Sequence, residues 1–187
     1  MSSEVKKQTK FQSPLPFIIQ LRNFIFGSQK PRWYVQWTFF IDIIAVFLFA
    51  LWSAISFFTI AYRQVFFDQK GVDVASIIEL RGIELGFEPG QFIERLHTFH
   101  GISMICWLVA LFGLILLWRN SKYFAWFFFG ATCFYFGMLL FYVGFDYYME
   151  DTTRFDKILF LLMIVQTLIY LLLSNRIEEE QEPTFFE

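Results

Sequence analysis

The chain has 187 residues, of which 57% are hydrophobic, 22% are aromatic and only 17% are charged. A soluble domain of this size cannot bury so much apolar surface, so the composition excludes an ordinary water-soluble enzyme and a disordered chain. The net charge of −2 argues against a nucleic-acid binder. The class that remains is a multi-pass membrane protein.

The N-terminal 32 residues precede the first stretch that is long enough to span a membrane. Residues 1–14 are polar and basic, which predicts a disordered cytoplasmic arm. In the segment 15–32, Phe17, Leu21 and Phe24 recur at helical spacing. This spacing predicts a short N-terminal helix that lies in the membrane interface, followed by a linker. The alternative for its apolar face is packing against a partner subunit.

Four continuous apolar stretches predict transmembrane helices at about 33–62, 96–118, 123–145 and 156–174. About 20 helical residues are needed to cross about 30 Å of hydrocarbon, and the stretches show none of the alternation that barrel strands require. We therefore expect an all-α integral membrane protein whose four transmembrane helices form an up-down bundle, with the membrane domain at 33–175. Residues 176–187 form an acidic cytoplasmic tail.

The distribution of basic residues predicts the orientation. Nine of the fifteen Lys and Arg residues lie in the N-terminal arm, the second connection and the tail, and six lie in the other two connections. Both termini are therefore expected in the cytoplasm. The first apolar stretch is too long for a cleavable signal peptide and is expected to remain as an anchor. A bacterial inner membrane is the expected location.

The longest segment outside the spans is the first outer connection, 63–95. Apolar and charged residues alternate from Val74 to Leu85, which predicts one amphipathic helix that Gly82 weakens. This helix is expected to lie across the outer mouth of the bundle or to dock on another protein.

Small residues predict where the second and third spans pack together. Gly130, Gly137 and Gly144 are seven residues apart, which keeps them on one helix face, and Ala110 and Gly113 offer a matching side on the second span. The short loop between these spans makes them an antiparallel hairpin.

Two cysteines, Cys106 and Cys133, lie within the predicted spans. Their spacing matches no metal motif, and we interpret both as small packing residues rather than as a disulfide or a metal pair.

Asp42 is an acidic residue inside a predicted span. It is placed near the cytoplasmic headgroups, within reach of Arg32, Arg119 or Lys122, and buried charges in membranes are normally paired. We therefore expect an ion pair at Asp42.

The residues best suited to chemistry are Glu94, His97 and His100, which follow one another at three-residue steps of a helix. The hairpin register brings Asp146 to the same height. Imidazoles with carboxylates suit a metal ion, and they also suit a quinone that exchanges protons at the outer membrane boundary. The alternative is that these side chains sit among headgroups and cap one another.

Two cofactor types are constrained by the same residues. The chain has one Glu-x-x-His unit, so a di-iron centre would need a second copy or another subunit. His97 and His100 on one helix cannot occupy opposite faces of an iron, which excludes an intramolecular bis-histidine haem.

Three functions are compatible with this sequence. The favoured one is a non-catalytic accessory or scaffolding subunit of a larger membrane complex, because the spans lack a polar interior and the surface is rich in Phe. The second is a redox-linked subunit that binds a metal or a quinone, and the third is a small-solute transporter or channel. The expected partners are lipid and other membrane subunits, or further copies of this chain.

Overall fold

A computed structural model of the chain describes residues 15–27 and 31–179. Eight helices and no strand are found within these ranges. The helices are α1 (Leu15–Phe26), α2 (Trp33–Ala61), α3 (Arg63–Lys70), α4 (Val74–Glu84), α5 (Gln91–Trp118), α6 (Phe124–Tyr142), α7 (Phe145–Glu150) and α8 (Arg154–Glu179).

The chain divides into two units, and the first unit contains α1. This helix ends at Gly27, whose φ of 80° lies in the left-handed region that favours glycine. The apolar side chains of Phe17, Ile18 and Ile19 are exposed. The helix predicted in this segment is therefore present. The predictions for the arm at 1–14 and for most of the tail at 176–187 concern residues outside the described ranges.

The second unit contains the four helices that are long and apolar enough to cross a membrane, namely α2, α5, α6 and residues Arg154–Leu173 of α8. The prediction of four helices with the length and apolar character needed to span a membrane is thereby confirmed. The second span begins at Gln91 rather than near 96, because the helix continues outward through polar residues. The third ends at Tyr142 rather than at 145.

Helix α5 lies between α2 and α6 and packs against both of them, while α8 packs against α2. Helices α5 and α6 approach each other closely at Gly113, where an added Cβ would lie 3.0 Å from the backbone nitrogen of Phe128. Ala110, one turn earlier on α5, is fully buried. These positions match the register expected for the hairpin, since close backbone approach requires small residues.

The three glycines of the third span, which were predicted to face α5, do not lie at this contact. A Cβ added at Gly130 or Gly137 would have no heavy atom within 4 Å, so these two residues do not contribute to the α5–α6 contact among the described residues. Gly144 has φ 94° and ψ 165°, a conformation that other residues rarely adopt. It ends the third span and begins α7, so the predicted groove does not extend to it.

The connection between α2 and α5 contains two helices. A helix is present where one was predicted from Val74: it is α4, whose N-cap Asp73 accepts a hydrogen bond of 3.0 Å from the backbone N–H of Ser76. Gly82 weakens the helix locally but is required by packing, because a side chain there would overlap Phe92 of α5. Helix α3 was not expected from the sequence.

Candidate functional site

Three buried polar atoms on α5 lack hydrogen-bond partners among the described residues: Nε2 of His97, Nδ1 of His100 and Nε1 of Trp107. His100 is only 4% exposed and Trp107 only 1%. The three residues follow one another at spacings of three and seven, which places them on one side of the helix. A buried polar atom without a partner is energetically costly, so this side of α5 is a candidate binding site.

Aromatic rings surround these polar atoms. The imidazole of His97 stacks on Phe57 of α2, with ring centroids 4.4 Å apart and planes 15° apart. Trp107 stacks on Phe49 of α2 at 5.0 Å and contacts Tyr135 of α6 at 4.6 Å. The site is therefore a row of N–H and nitrogen groups on α5, enclosed by flat apolar rings from α2 and α6.

The four residues predicted to form one cluster are only partly brought together. His97 and His100 are one turn apart on α5, but Glu94 is exposed. Asp146 is exposed on α7, because the break at Gly144 places it on a separate short helix. Within residues 15–27 and 31–179, no group of three or more His, Cys, Asp or Glu side chains could hold a metal ion.

Asp42 is fully buried, but its partner differs from the expected one. Its Oδ2 accepts a hydrogen bond of 3.2 Å from the hydroxyl of Thr167 on α8, and its Oδ1 has no hydrogen-bond partner within the described part of the chain. The ion pairs found in this part of the chain all involve Arg81. The predicted pairing with Arg32, Arg119 or Lys122 is therefore replaced by an interhelical hydrogen bond.

The strongest charged contact lies outside the spans and was not predicted. The guanidinium of Arg81 on α4 contacts Asp151 at 3.0 Å, Glu150 at 2.7 Å and Glu84 at 2.7 Å. These carboxylates raise the pKa of Arg81 further above its usual value, and the hydrogen bond with Asp151 contributes most. This charged cluster connects α4 with the end of α7.

The phenol of Tyr147 lies beside this cluster. Burial, together with a smaller effect of the nearby carboxylates of Asp151 and Asp156, raises the pKa of Tyr147 to about 12. Its ring lies 6.1 Å from that of Phe92. Tyr147 thus belongs to the apolar contact beneath the ion pairs, together with Phe92, Leu139 and Val143.

The cysteines are free and differ in their surroundings. Cys106 is buried on α5, whereas Cys133 is exposed on α6. Among the described residues, the interpretation as a buried packing residue therefore fits Cys106 but not Cys133.

Comparisons with known proteins add no function to this geometry: no protein-family model, no curated protein and no solved structure matches the chain.

Proposed function

We propose that this protein is an accessory or scaffolding subunit of a larger membrane complex and that the outward face of α6 contacts a transmembrane helix of another subunit. The exposed small residues Gly130, Cys133 and Gly137 follow one another along this face. Trp126, 80% exposed, and Phe141, 75% exposed, lie at its two ends. We call these five residues the α6 face. The open space over its two glycines is the observation that carries the proposal.

Glycine in a membrane helix is favourable where another helix backbone comes close to it. Glycine costs about 1 kcal/mol of helix propensity relative to alanine, and lipid gives no return for that cost. Small residues are useful where two helix backbones approach, because association in lipid depends on close packing.

The two native cysteines provide a matched experiment. A membrane-permeant, thiol-reactive photo-crosslinker is added to native membranes that contain the full-length protein. We expect an adduct of higher mass through the exposed Cys133, and none when Cys133 is replaced by Ala, because Cys106 is buried. An adduct that persists in the Cys133→Ala variant, or no adduct in the native protein, would contradict the proposal.

A second measurement tests the glycines directly. Gly137→Leu fills the open space on the α6 face without a clash inside this chain. We expect it to shift the protein from a larger assembly to the free form on a native gel. Val165→Leu adds bulk to an exposed position of α8 and serves as the control. Equal assembly sizes in both variants would argue against the α6 face.

We also propose an arrangement in the membrane. The four spans form an up-down bundle with both termini in the cytoplasm, and α1 lies in the interface. The excess of basic residues in the N-terminal arm, the second connection and the tail supports this orientation. A bacterial inner membrane is the proposed location. Reporter fusions at the two ends and in the first connection test the orientation, and equal signals from all three would contradict it.

The second candidate function is a redox-linked subunit that binds a quinone at the outer end of α5. Nε2 of His97 and Nδ1 of His100 favour it, because a quinone oxygen accepts a hydrogen bond from an imidazole N–H. A metal ion is less favoured, since Glu94 and Asp146 do not complete a donor set with the imidazoles.

Purification from native membranes followed by an optical spectrum, metal analysis and quinone extraction tests this second candidate. We expect about one quinone per chain, and loss of the quinone in His97→Ala. Glu94→Gln is the control, because Glu94 is exposed. Quinone absent from the native protein, or retained equally in both variants, would rule the candidate out, and stoichiometric metal lost in His97→Ala would replace it with a metal site.

A further inference from the structure

A groove of about 620 Å³ lies between α2 and α3. One face of α2 forms its longer wall, with Leu51, Ala54, Phe58 and Tyr62 following one another at helical spacing. Phe66 contributes to the shorter wall on α3. The groove belongs neither to the row of polar atoms on α5 nor to the α6 face.

The dimensions of the longer wall match half of a membrane. Leu51 and Tyr62 are separated by about 16 Å along the helix, at 1.5 Å per residue. Half of the hydrocarbon thickness is about 15 Å. With the membrane boundary placed at the end of α2, at Ala61, the groove extends to near the middle of the bilayer. A partner helix would cross both halves, whereas this groove accommodates a chain from one leaflet.

The polar groups of the groove are gathered at its boundary end. Gln69 and Lys70 on α3 line it there, beside Tyr62. No described residue forms an ion pair or a hydrogen bond with the Lys70 ammonium. The nearby acid Asp68 instead accepts a hydrogen bond of 3.1 Å from Gln64. The groove therefore combines an apolar floor with an unpaired positive charge at the headgroup level.

We propose that this groove binds one phospholipid with an anionic headgroup, whose acyl chain lies along α2 and whose phosphate group meets Lys70. The positive charge of Lys70 selects an anionic headgroup over a zwitterionic one, and the length of the α2 wall selects a single leaflet. The site is independent of the proposed contact through the α6 face.

Native mass spectrometry of the full-length protein in detergent tests this site by counting bound lipid. The probes are phosphatidylglycerol and phosphatidylcholine, offered separately at equal concentration. The native protein should retain one phosphatidylglycerol in preference to phosphatidylcholine. Lys70→Gln should weaken phosphatidylglycerol binding about fivefold, the effect of one basic residue near an anionic headgroup. Lys122→Gln removes an exposed lysine at another membrane boundary and is the matched control.

A groove-filling variant separates the acyl chain from the charge. Ala54→Phe should reduce the binding of both lipids, whereas Lys70→Gln should reduce only that of phosphatidylglycerol. Should Ala54→Phe fail to fold, the exposed Lys70→Gln variant and its control still decide the question. Equal lipid retention in Lys70→Gln and Lys122→Gln would overturn the site and indicate lipid held by general surface contact.

Discussion

The hydroxyl of Thr167 on α8 donates to the carboxyl group of Asp42 on α2 at 3.2 Å and to the carbonyl of Met163 in its own helix at 2.8 Å, so its single proton is shared between the two acceptors. The Asp42 side chain is fully buried. This contact joins the first span to the last one. It takes the place of an ion pair, so the stability of the α2–α8 contact depends on a neutral hydroxyl rather than on a basic side chain.

We expect Thr167→Val to lower the free energy of unfolding by about 1–2 kcal/mol, because it leaves Asp42 without its hydrogen-bond donor. Thr132→Val is the control, since the Thr132 hydroxyl bonds only to the carbonyl of Phe128 in its own helix, at 2.8 Å. Thermal unfolding in detergent measures both variants. Equal losses would show that the interhelical bond contributes nothing beyond packing.

Substitution of Gly113 and of Gly137 by alanine should affect the free energy of unfolding of the isolated chain differently. Gly113→Ala places a methyl group 3.0 Å from the Phe128 backbone nitrogen and should destabilise the chain by about 1–3 kcal/mol. Gly137→Ala meets no atom within 4 Å and should leave its stability unchanged or slightly raised. Denaturation of the free form in detergent makes the comparison. A larger loss in Gly137→Ala would contradict the α5–α6 packing described above.

Removal of the Arg81 guanidinium should release α7 from α4. In Arg81→Gln the hydrogen bonds to Glu150 and Asp151 are lost, and we expect amide hydrogen exchange in residues 145–151 to become a few-fold faster. Arg63→Gln is the control, because the Arg63 guanidinium bonds only to the carbonyl of Ile60, at 3.1 Å. The native protein should approach the exchange rate of Arg81→Gln at high salt, where exposed ion pairs are screened. An amide exchange rate in residues 145–151 that is unchanged in Arg81→Gln would show that the charged cluster does not hold α7 against α4.

Stability should fall at high pH through Tyr147. Burial raises the pKa of its phenol from 10.0 to about 12, so the folded state keeps a proton that the unfolded state loses between these values. The free energy of unfolding therefore decreases from pH 10 to 12, by about 2 kcal/mol for this group. Tyr147→Phe should flatten that part of the profile relative to Tyr123→Phe, an exposed control. Parallel profiles would show that Tyr147 does not titrate abnormally.

The sequence predicted the elements that depend on continuous apolar length or on simple periodicity. The four spans and α4 were found in this way. Helix α3 was missed because its eight residues mix polar and apolar types without a capping side chain at Tyr62. The end of the third span was misplaced because hydropathy does not report that Gly144 adopts a conformation with positive φ.

The site could be predicted less completely, because side-chain partners depend on how helices rotate. The three-residue spacing of His97 and His100 places them one turn apart on α5. Asp146, in contrast, was placed by a hairpin register that the break before α7 interrupts. Thr167 is one of several hydroxyl residues within or near the spans, and its sequence position gives no sign that it faces Asp42. Only the rotation of α8 against α2 brings the two together.

The hydrogen bond between Thr167 and Asp42 also has a consequence for biogenesis. During synthesis α2 leaves the ribosome long before α8, so the Asp42 carboxyl enters the bilayer without the hydroxyl that it contacts in the finished protein. Arrival of α8 supplies this donor. A nascent chain that stops before residue 167 therefore keeps the Asp42 carboxyl without this hydrogen bond. Incomplete chains differ from the finished protein in this respect.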